Sequence, residues 1–380
     1  MPYDIVLLGA TGFTGGLTAD YLAQHVPAAS AWAIAGRNQA KLDAVAQRIA
    51  AASGKAPETV VADIGDTTSM RKLAEQTKVL ATTVGPYVEY GEPAVAACAN
   101  AGTDYCDLTG EPEFVDRMWL AHNARAEQTG SRLVHACGFD SVPHDLGVLN
   151  TVKQLPEGVP LTVRGYVRAS ADFSGGTYHS AVRAFSRMRQ SNKIVAKRRQ
   201  AEARPSGRRV RALPDRPGRG PQGDGWVLPL PTIDPVIVRR SARALERYGP
   251  EFAYGHYAHF KRLPMVAAAA IGAGGMVAMS QLPPGRDLLL RLKAQGEGPD
   301  QAKRDKSWFK VRFIGEGGGQ SVVTEASGGD PGYTETARML SESAMCLAFD
   351  DLPANAGQVT TAVAMGDALT TRLDSMFRVL

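Results

Sequence analysis

The stretch DIVLLGATGFTGGLTADYLA, residues 4–23, decides the fold of the N-terminal part of the chain. A short apolar run ends at Gly9, glycines recur at Gly12 and Gly15, and helical periodicity begins immediately. Gly9 permits a tight turn, Gly12 lets the backbone approach a pyrophosphate, and Gly15 lets the helix lie close to the strand. The pattern predicts a dinucleotide-binding loop at a helix N-terminus, and a glycine turn without a ligand is the alternative. Three further residues are predicted to line the loop: Thr11, Phe13 and Thr14.

Similar units follow this stretch as far as residue 150. Apolar runs such as AWAIAG, TVVADI, KVLATTVG and RLVHAC alternate with segments whose apolar residues recur at helical spacing. This alternation predicts an α/β fold with a Rossmann-type, doubly wound parallel sheet in residues 1–150. Residues 151–344 contain strand patterns joined by a glycine-rich turn and predict a second, α+β domain with an antiparallel sheet. Residues 345–380 return to helical periodicity and are expected to pack near the first domain.

The composition is that of an ordinary globular protein with two domains. The chain has 380 residues, of which 44% are hydrophobic and 21% charged. The N-terminus has no pattern typical of a secretory signal, so a cytoplasmic location is expected, with a position at the membrane periphery as an alternative. Four widely spaced cysteines form no metal-binding pattern, so we expect reduced thiols and no metal site.

The end of the second predicted strand, AIAGRN, indicates which dinucleotide binds. An enzyme that uses NAD carries an acidic residue here for the ribose 2′-hydroxyl, but this chain has Arg37 and Asn38 instead. Arg37 is suited to a 2′-phosphate, and Lys41 follows one helical turn later as an auxiliary cation. The sequence therefore predicts NADP(H) as the cofactor, with a solvated arginine at a helix start as the alternative for Arg37.

Two later strand ends provide further candidate cofactor contacts. Asp63 ends the third strand, where an acid binds adenine or caps the next helix, and both roles remain open. The fourth strand ends near the predicted reversal of strand order, where the nicotinamide half of the cofactor is expected to lie. The candidates at this end are Val84, Gly85 and Pro86, and a purely structural turn is the alternative.

Four motifs together resemble a known family. GATGFTG, AGRN, TTVGPYVEYGEPAVAACANAGTDYCDLTGE and HACGFDSVPHDLG are similar to the saccharopine dehydrogenase-like oxidoreductases, and most similar to their trans-acting enoyl reductase branch. The resemblance implies an NADP-binding Rossmann domain followed by an α+β domain, with the active site in the cleft between them. It also implies reduction of an unsaturated acyl thioester in lipid or polyketide metabolism. The DSVP segment replaces the glycine-rich turn of saccharopine reductases, which argues against a saccharopine-type substrate.

An enoyl reduction requires an oxyanion donor and a proton for the α-carbon, and several polar residues are candidates for these roles. Packing is the alternative for Tyr87 and Tyr90, a helix cap for Asp140 and Ser141, and a surface or capping position for His144. Oxidation of another small substrate, or dinucleotide binding without turnover in a lipid-associated protein, remain alternative functions. The candidate catalytic residues are Tyr87, Tyr90, Asp140, Ser141 and His144.

Two further segments bear on partners. Residues 183–219 contain thirteen Lys or Arg and two acidic residues, a formal charge of +11, while the rest of the chain sums to −6. We expect this exposed or poorly ordered insertion to attract a carrier protein or coenzyme A, with a solvated loop or an anionic membrane as alternatives. It has no nucleic-acid-binding motif, so nucleic acid is not expected.

Residues 263–285 carry no charge and predict a buried or interface helix, with lipid or acyl-chain contact and a membrane span as alternatives. A homo-oligomer also remains open.

Overall fold

A computed structural model describes residues 1–171, 175–203, 206–214, 216–292 and 298–380. The chain divides into two compact units. Unit 1 contains Met1–Phe139 and Gly332–Leu373, and unit 2 contains most of the residues between them together with Asp374–Leu380.

Residues 1–139 alternate strands with helices, as the sequence predicts. The strands are Tyr3–Leu8 (β1), Trp32–Gly36 (β2), Glu58–Val61 (β3), Thr77–Thr82 (β4), Asp104–Asp107 (β5) and Arg132–Val134 (β6). The helices are Phe13–His25 (α1), Gln39–Ser53 (α2), Thr67–Glu75 (α3), Tyr87–Tyr90 (α4), Glu92–Ala101 (α5) and Pro112–Thr129 (α6).

Residues 140–331 contain longer strands and a different order of elements. The helices are Val142–Lys153 (α7), Gly175–Ser186 (α8), Met188–Ala201 (α9), Asp234–Ala244 (α10), Leu263–Ser280 (α11), Pro283–Arg291 (α12) and Gln301–Asp305 (α13). The strands are Leu161–Ser170 (β7), Arg209–Ala212 (β8), Gly218–Arg219 (β9), Trp226–Pro229 (β10), Glu251–Phe260 (β11), Trp308–Gly317 (β12) and Gln320–Gly328 (β13). The remaining elements of the chain are Thr334–Phe349 (α14), Gly357–Val359 (β14), Thr361–Ala364 (α15), Gly366–Arg372 (α16) and Phe377–Val379 (β15).

The sheet of unit 1 has seven strands in the order β3-β2-β1-β4-β5-β6-β14. Every neighbouring pair is parallel. Ile5, Val6 and Leu7 of the central β1 are completely buried, as expected for a parallel sheet covered on both faces. The strand order reverses between β1 and β4, which is where doubly wound folds bind dinucleotides. The predicted Rossmann-type sheet is therefore confirmed.

The sheet of unit 2 has eight strands, and seven of them follow the order β15-β13-β12-β7-β11-β10-β9, with β8 paired to β11. β12 and β13 form an antiparallel hairpin, as predicted from the glycine-rich sequence between them. Gly318 and Gly319 at its turn have φ angles of +57° and +77°, which favour glycine. β7 pairs antiparallel with β12 but parallel with β11, so the sheet is mixed.

The structure divides the chain at positions that differ from the predicted boundaries at residues 150 and 344. Unit 2 begins at Asp140, because α7 packs against β7, β12 and β13. Residue 344 lies inside α14, which belongs to unit 1 and packs against α1 and β4. Apolar periodicity along one helix does not show which sheet the helix covers.

The segment predicted as an exposed or poorly ordered insertion contains regular structure, and the segment predicted as a buried or interface helix is not buried. Within residues 183–219, the described part contains α9, β8 and β9, and β8 pairs with β11, while residues 204, 205 and 215 lie outside the described residues. The uncharged segment 263–285 contains α11, of which only Val266 and Ser280 are buried. The buried alternative is therefore wrong for this segment, and an interface helix remains a prediction.

Candidate functional site

The loop between β1 and α1 excludes side chains at two of its glycines. Gly9 has a φ angle of +97°, and a Cβ there would lie 2.7 Å from the Thr83 Oγ1. A Cβ on Gly15 would lie 2.1 Å from the carbonyl oxygen of Gly9, so α1 starts directly against the turn. Thr83 Oγ1 donates a hydrogen bond of 3.2 Å to the same carbonyl, which fixes the end of β4 to the loop. The glycine roles predicted from spacing agree with this geometry.

Gly12 differs from these two glycines because its free side is open. A Cβ there would have the Gly9 oxygen as its nearest neighbour, at an ordinary 3.5 Å. Gly12 is the N-cap of α1, provides no side-chain hydrogen bond to the helix, and is followed by no acidic residue in the first turn. A helix start of this kind attracts anions through its backbone N–H groups. The loop therefore fits a pyrophosphate.

The other residues predicted to line the loop differ in exposure. Thr11 is exposed, and Phe13 and Thr14 are half-buried. The Phe13 ring packs edge-on against Tyr333, with ring centroids 4.9 Å apart. Phe13 therefore also serves the packing of unit 1.

The end of β2 presents an exposed cationic corner. Arg37, Asn38 and Lys41 are all exposed. Asn38 is the N-cap of α2, and its Oδ1 accepts a hydrogen bond of 3.0 Å from the Lys41 backbone N–H. Asn38 thus shapes the turn that carries Arg37, whose guanidinium group suits a 2′-phosphate.

Asp63 does not cap the next helix, which corrects one of its two predicted roles. Its Oδ1 accepts a hydrogen bond of 3.0 Å from the Gly65 N–H, while Asp66 caps α3 by accepting from the Thr68 N–H. Asp63 is exposed after β3, and a contact with adenine remains its predicted role.

The end of β4 contains two tyrosines with different surroundings. Tyr87 is 6% exposed, and its hydroxyl donates to the Thr82 carbonyl at 3.0 Å and accepts from the Leu108 N–H at 3.2 Å. Burial raises the pKa of Tyr87 well above its ordinary value. Tyr87 is therefore a core residue, and its prediction as a proton donor is wrong. Tyr90 is 47% exposed and remains a candidate, as do Val84, Gly85 and Pro86 as cofactor contacts.

A buried group of polar side chains in unit 2 includes one of the predicted candidates. His144 Nε2 lies 3.7 Å from Asp234 Oδ1, and His256 Nε2 lies 3.4 Å from Asp234 Oδ2. Thr232 donates a hydrogen bond of 2.5 Å to Asp234 Oδ2, and the Tyr254 hydroxyl lies 3.0 Å from His256 Nδ1. The three central side chains are between 1% and 3% exposed. We call His144, Asp234 and His256 the His–Asp–His cluster.

The pKa values of two carboxyl groups, Asp234 and Asp140, are shifted in opposite directions. Burial alone would raise the pKa of Asp234, but the two histidines and Thr232 stabilise its carboxylate and lower the pKa below its ordinary value. Burial and repulsion from Asp234 raise the pKa of Asp140 to about 8. Burial lowers the pKa of His144 to about 4, so its imidazole is neutral at neutral pH. The raised pKa of Asp140 favours its protonated form, and the lowered pKa of Asp234 favours its carboxylate.

Asp140 and Ser141, two of the predicted catalytic residues, lie directly before α7. Asp140 is half-buried and is the first residue of unit 2. Ser141 is completely buried at the N-cap of α7, and its side chain makes no capping hydrogen bond. A surface or capping role for His144 is wrong, because its side chain is buried against Asp234.

Sequence reasoning missed Asp234, His256, Tyr254 and Thr232. The chain distance between α7, α10 and β11 hides the cluster, because no local spacing connects the residues. The available signal is weak: Tyr254 and His256 are separated by two in a strand and therefore share a face. The ligand atoms of the cluster lie within 4.8 Å of one another, close enough for one metal ion. The sequence prediction of no metal site remains a prediction that metal analysis of the purified protein tests.

Known proteins resemble the chain in sequence and in fold. The family profile named saccharopine dehydrogenase NADP binding domain matches residues 5–134. A protein of Mycobacterium ulcerans named trans-acting enoyl reductase is 34% identical, and the match covers 98% of this chain and 95% of the relative. A saccharopine dehydrogenase-like oxidoreductase of Arabidopsis thaliana is 31% identical over 88% of this chain and 86% of its own.

The fold is also found in a solved structure. Apo saccharopine dehydrogenase (L-Glu forming) from Saccharomyces cerevisiae matches with a TM-score of 0.56 and 12% identity, covering 99% of both chains. This likeness supports the α/β fold with a second, mixed-sheet unit. The profile names NADP, and the geometry of the loop after β1 fits the pyrophosphate of such a cofactor. The chain belongs to the saccharopine dehydrogenase-like oxidoreductases and binds NADP(H).

Proposed function

We propose that this protein is an NADPH-dependent enoyl reductase that saturates an acyl thioester in lipid or polyketide metabolism. The observation that carries the proposal is the similarity to the Mycobacterium ulcerans enoyl reductase over 98% of this chain. Because this match includes unit 2 as well as the cofactor-binding unit 1, it supports a shared substrate class as well as a shared cofactor. A thioester delivered by a carrier protein agrees with the word "trans-acting" in that relative's name.

The reaction needs one hydride and one proton. NADPH, when bound, supplies a hydride for the β-carbon of the unsaturated thioester. The resulting enolate then takes a proton at its α-carbon, and we assign this proton to Asp140. A carboxyl group with a pKa of about 8 is a competent acid at neutral pH. The Asp140 carboxylate that forms takes a proton back from solvent before the next turnover.

The cluster supports this role of Asp140 by charge. Asp234 stays ionised because His256 and Thr232 stabilise its carboxylate, and its negative charge disfavours ionisation of Asp140. His144 and His256 are therefore positioning residues in this proposal. Since the His144 imidazole is neutral at neutral pH, it is not the acid, although its N–H can donate a hydrogen bond.

The remaining polar candidates have supporting roles in the proposal. Ser141, buried beside Asp140, and the exposed Tyr90 are the candidate donors to the enolate oxygen. Their hydroxyls differ from that of Tyr87, which already has two backbone partners.

A substrate screen tests the proposed function. We expect NADPH oxidation, followed by absorbance, with trans-2-enoyl thioesters of coenzyme A or pantetheine. Deuteride from labelled NADPH should appear at the β-carbon of the product by mass spectrometry. A protein that binds NADPH but reduces none of these thioesters is not an enoyl reductase. Activity on amino-acid imines instead would assign it to another dehydrogenase class, and no turnover with either would favour a dinucleotide-binding protein without catalysis.

A further inference from the structure

Helices α11 and α12 carry a concentration of exposed apolar side chains. Of the fifteen large hydrophobic residues exposed in the described part of the chain, seven lie between residues 263 and 292. Ile271 is 75% exposed, Leu292 68% and Leu282 65%. Because α11 and α12 pack against each other, these residues are concentrated in one part of unit 2. Such a concentration marks an interaction surface, whereas single exposed apolar residues do not. The seven residues, which we call the apolar face, are Leu263, Met265, Ile271, Met279, Leu282, Leu288 and Leu292.

The opposite side of the two helices is attached to unit 2. α8 packs against both α11 and α12. Gln281 Nε2, just after α11, donates a hydrogen bond of 2.7 Å to the Phe185 carbonyl in α8. Val266, Ser280 and Leu289 are buried. The helix pair is thus fixed to the folded unit along one side and is apolar along the other.

Positive charges flank the two helices along the chain and occur in the helix that follows α8. Lys261 and Arg262 precede α11, and α12 contains Arg286 and Arg291, against one acidic residue, Asp287. α9 follows α8 after a single residue and adds four exposed cations without an acidic residue inside the helix. These cations are Arg189, Lys193, Lys197 and Arg199.

We infer that the apolar face binds the surface of an anionic phospholipid bilayer, with α11 and α12 lying in the plane of the interface. An apolar helix face bordered by cations has the chemistry of a membrane-surface helix. Cations near anionic headgroups each add attraction at low ionic strength. A second copy of this chain fits less well, because a two-fold interface would bring the same positively charged borders together. This inference is independent of the proposed enoyl reductase activity.

The structure favours a surface position over a span. α11 has 18 residues, so its length of about 27 Å is slightly less than the hydrocarbon core of a bilayer. By length and composition alone α11 could cross a membrane. A span would require the helix to leave α8, to which its C-terminal end is hydrogen-bonded through Gln281.

Not all arginines of the basic segment are available for such a surface. Arg198 is 4% exposed and pairs with Glu202 at 2.9 Å. Arg208 Nη2 donates to the carbonyls of Ala242 and Leu245 at 2.8 and 2.6 Å. Arg198 and Arg208 therefore contribute to the packing of unit 2 and are not available to a partner of this basic segment.

Vesicle flotation with the full-length protein tests the inference. We expect binding to vesicles of phosphatidylcholine mixed with phosphatidylglycerol, weaker binding to phosphatidylcholine alone, and release by high salt and by alkaline carbonate. The double variant Ile271→Asp, Leu282→Asp should lose at least about tenfold in partitioning, because two charged groups would enter the apolar layer. Leu120→Asp, at a 38% exposed position of α6 in unit 1, is the matched control and should bind like the unmodified protein. NADPH titration confirms that each variant is folded.

Four results would overturn the inference. The first is failure of the unmodified protein to bind anionic vesicles. The second is unchanged partitioning of the double variant. The third is resistance to carbonate, which indicates a span. The fourth is that the unmodified protein is a dimer that does not bind vesicles, and that the double variant is a monomer. Replacing Arg189, Lys193 and Arg199 with Gln should also weaken partitioning; if it raises only the KM for a carrier-linked thioester, α9 binds the carrier protein instead of lipid.

Discussion

The cofactor loop of unit 1 and the His–Asp–His cluster of unit 2 are built in opposite ways. The loop lies within the seven residues from Gly9 to Gly15, presents backbone N–H groups, and excludes side chains at Gly9 and Gly15. The cluster uses side chains from α7, α10 and β11, and its chemistry comes from charges excluded from water. The loop is therefore sensitive to added volume, whereas the cluster is sensitive to changes of charge. Four of the following five predictions test one side of this difference, and the other concerns Arg37 at the end of β2.

The largest expected effect is steric and belongs to the loop. In Gly12→Val, the added side chain would occupy the open side where the pyrophosphate fits, and NADPH affinity should fall by more than about a hundredfold. The free energy of unfolding should change little, since the nearest atom to a Cβ there is 3.5 Å away. Fluorescence titration and chemical denaturation measure the two quantities. Gly16→Ala is the control and should keep full affinity; equal NADPH binding by both variants would place the cofactor elsewhere.

The next effect is electrostatic and belongs to the cluster. Because Asp140 must be protonated to act as an acid, kcat/KM for an enoyl thioester should be constant below about pH 7 and fall tenfold per pH unit above 8. Asp140→Asn should lower kcat by about a hundredfold and remove this pH dependence. NADPH affinity of the variant, measured in parallel, should stay unchanged. If the variant keeps the kcat of the unmodified protein, and its kcat/KM still falls above pH 8, Asp140 is not the acid.

Removing the charge of Asp234 should shift the pH dependence of kcat/KM. Asp234→Asn removes the negative charge that raises the pKa of Asp140, so ionisation of Asp140 becomes easier and its pKa falls. The alkaline limb of kcat/KM should therefore shift toward lower pH, with the rate at low pH largely preserved. Thermal unfolding serves as the control for folding, because Asp234 also accepts a hydrogen bond from Thr232. If kcat/KM of the variant falls at the same pH as in the unmodified protein, Asp234 does not raise the pKa of Asp140.

Local chemistry explains why one of these regions was predictable. Three glycines at fixed spacing after an apolar run determine a turn and a helix start, and both are formed by residues that are adjacent in the chain. Asp234 and His256 carry no such signal, since only the packing of α10 and β11 brings them to His144. Tyr87 shows the same limit: its type suggested a donor, but tertiary structure supplied two backbone partners for its hydroxyl. The exposure of α11 was not predictable either, because composition alone does not identify what covers a helix.

A moderate effect concerns the cationic corner at the end of β2. Arg37→Ala should weaken NADPH binding by about tenfold and leave NADH binding nearly unchanged, because only NADPH has a 2′-phosphate. The exposure of Arg37 keeps the expected loss moderate, since water and salt screen the pair. Competitive titration at two salt concentrations measures the preference. Lys55→Ala, at an exposed position just after α2, is the control, and equal affinities of the unmodified protein for the two dinucleotides would contradict the role of Arg37.

The smallest effect compares two adjacent glycines of α1. A Cβ on Gly16 would lie 3.7 Å from Arg48 Nη2 and 3.8 Å from the Ala10 carbonyl oxygen, both ordinary contacts. Gly16→Ala should therefore raise the free energy of unfolding by about 0.5–1 kcal/mol, because alanine favours the helix. Gly15→Ala should lower it, since the added Cβ would lie 2.1 Å from the Gly9 carbonyl oxygen and backbone would have to move. Denaturant unfolding of both variants gives the two signs. If both substitutions stabilise the protein, α1 does not approach the turn at Gly9 this closely. The proposed fit of the loop to a pyrophosphate would then lose the geometry on which it rests.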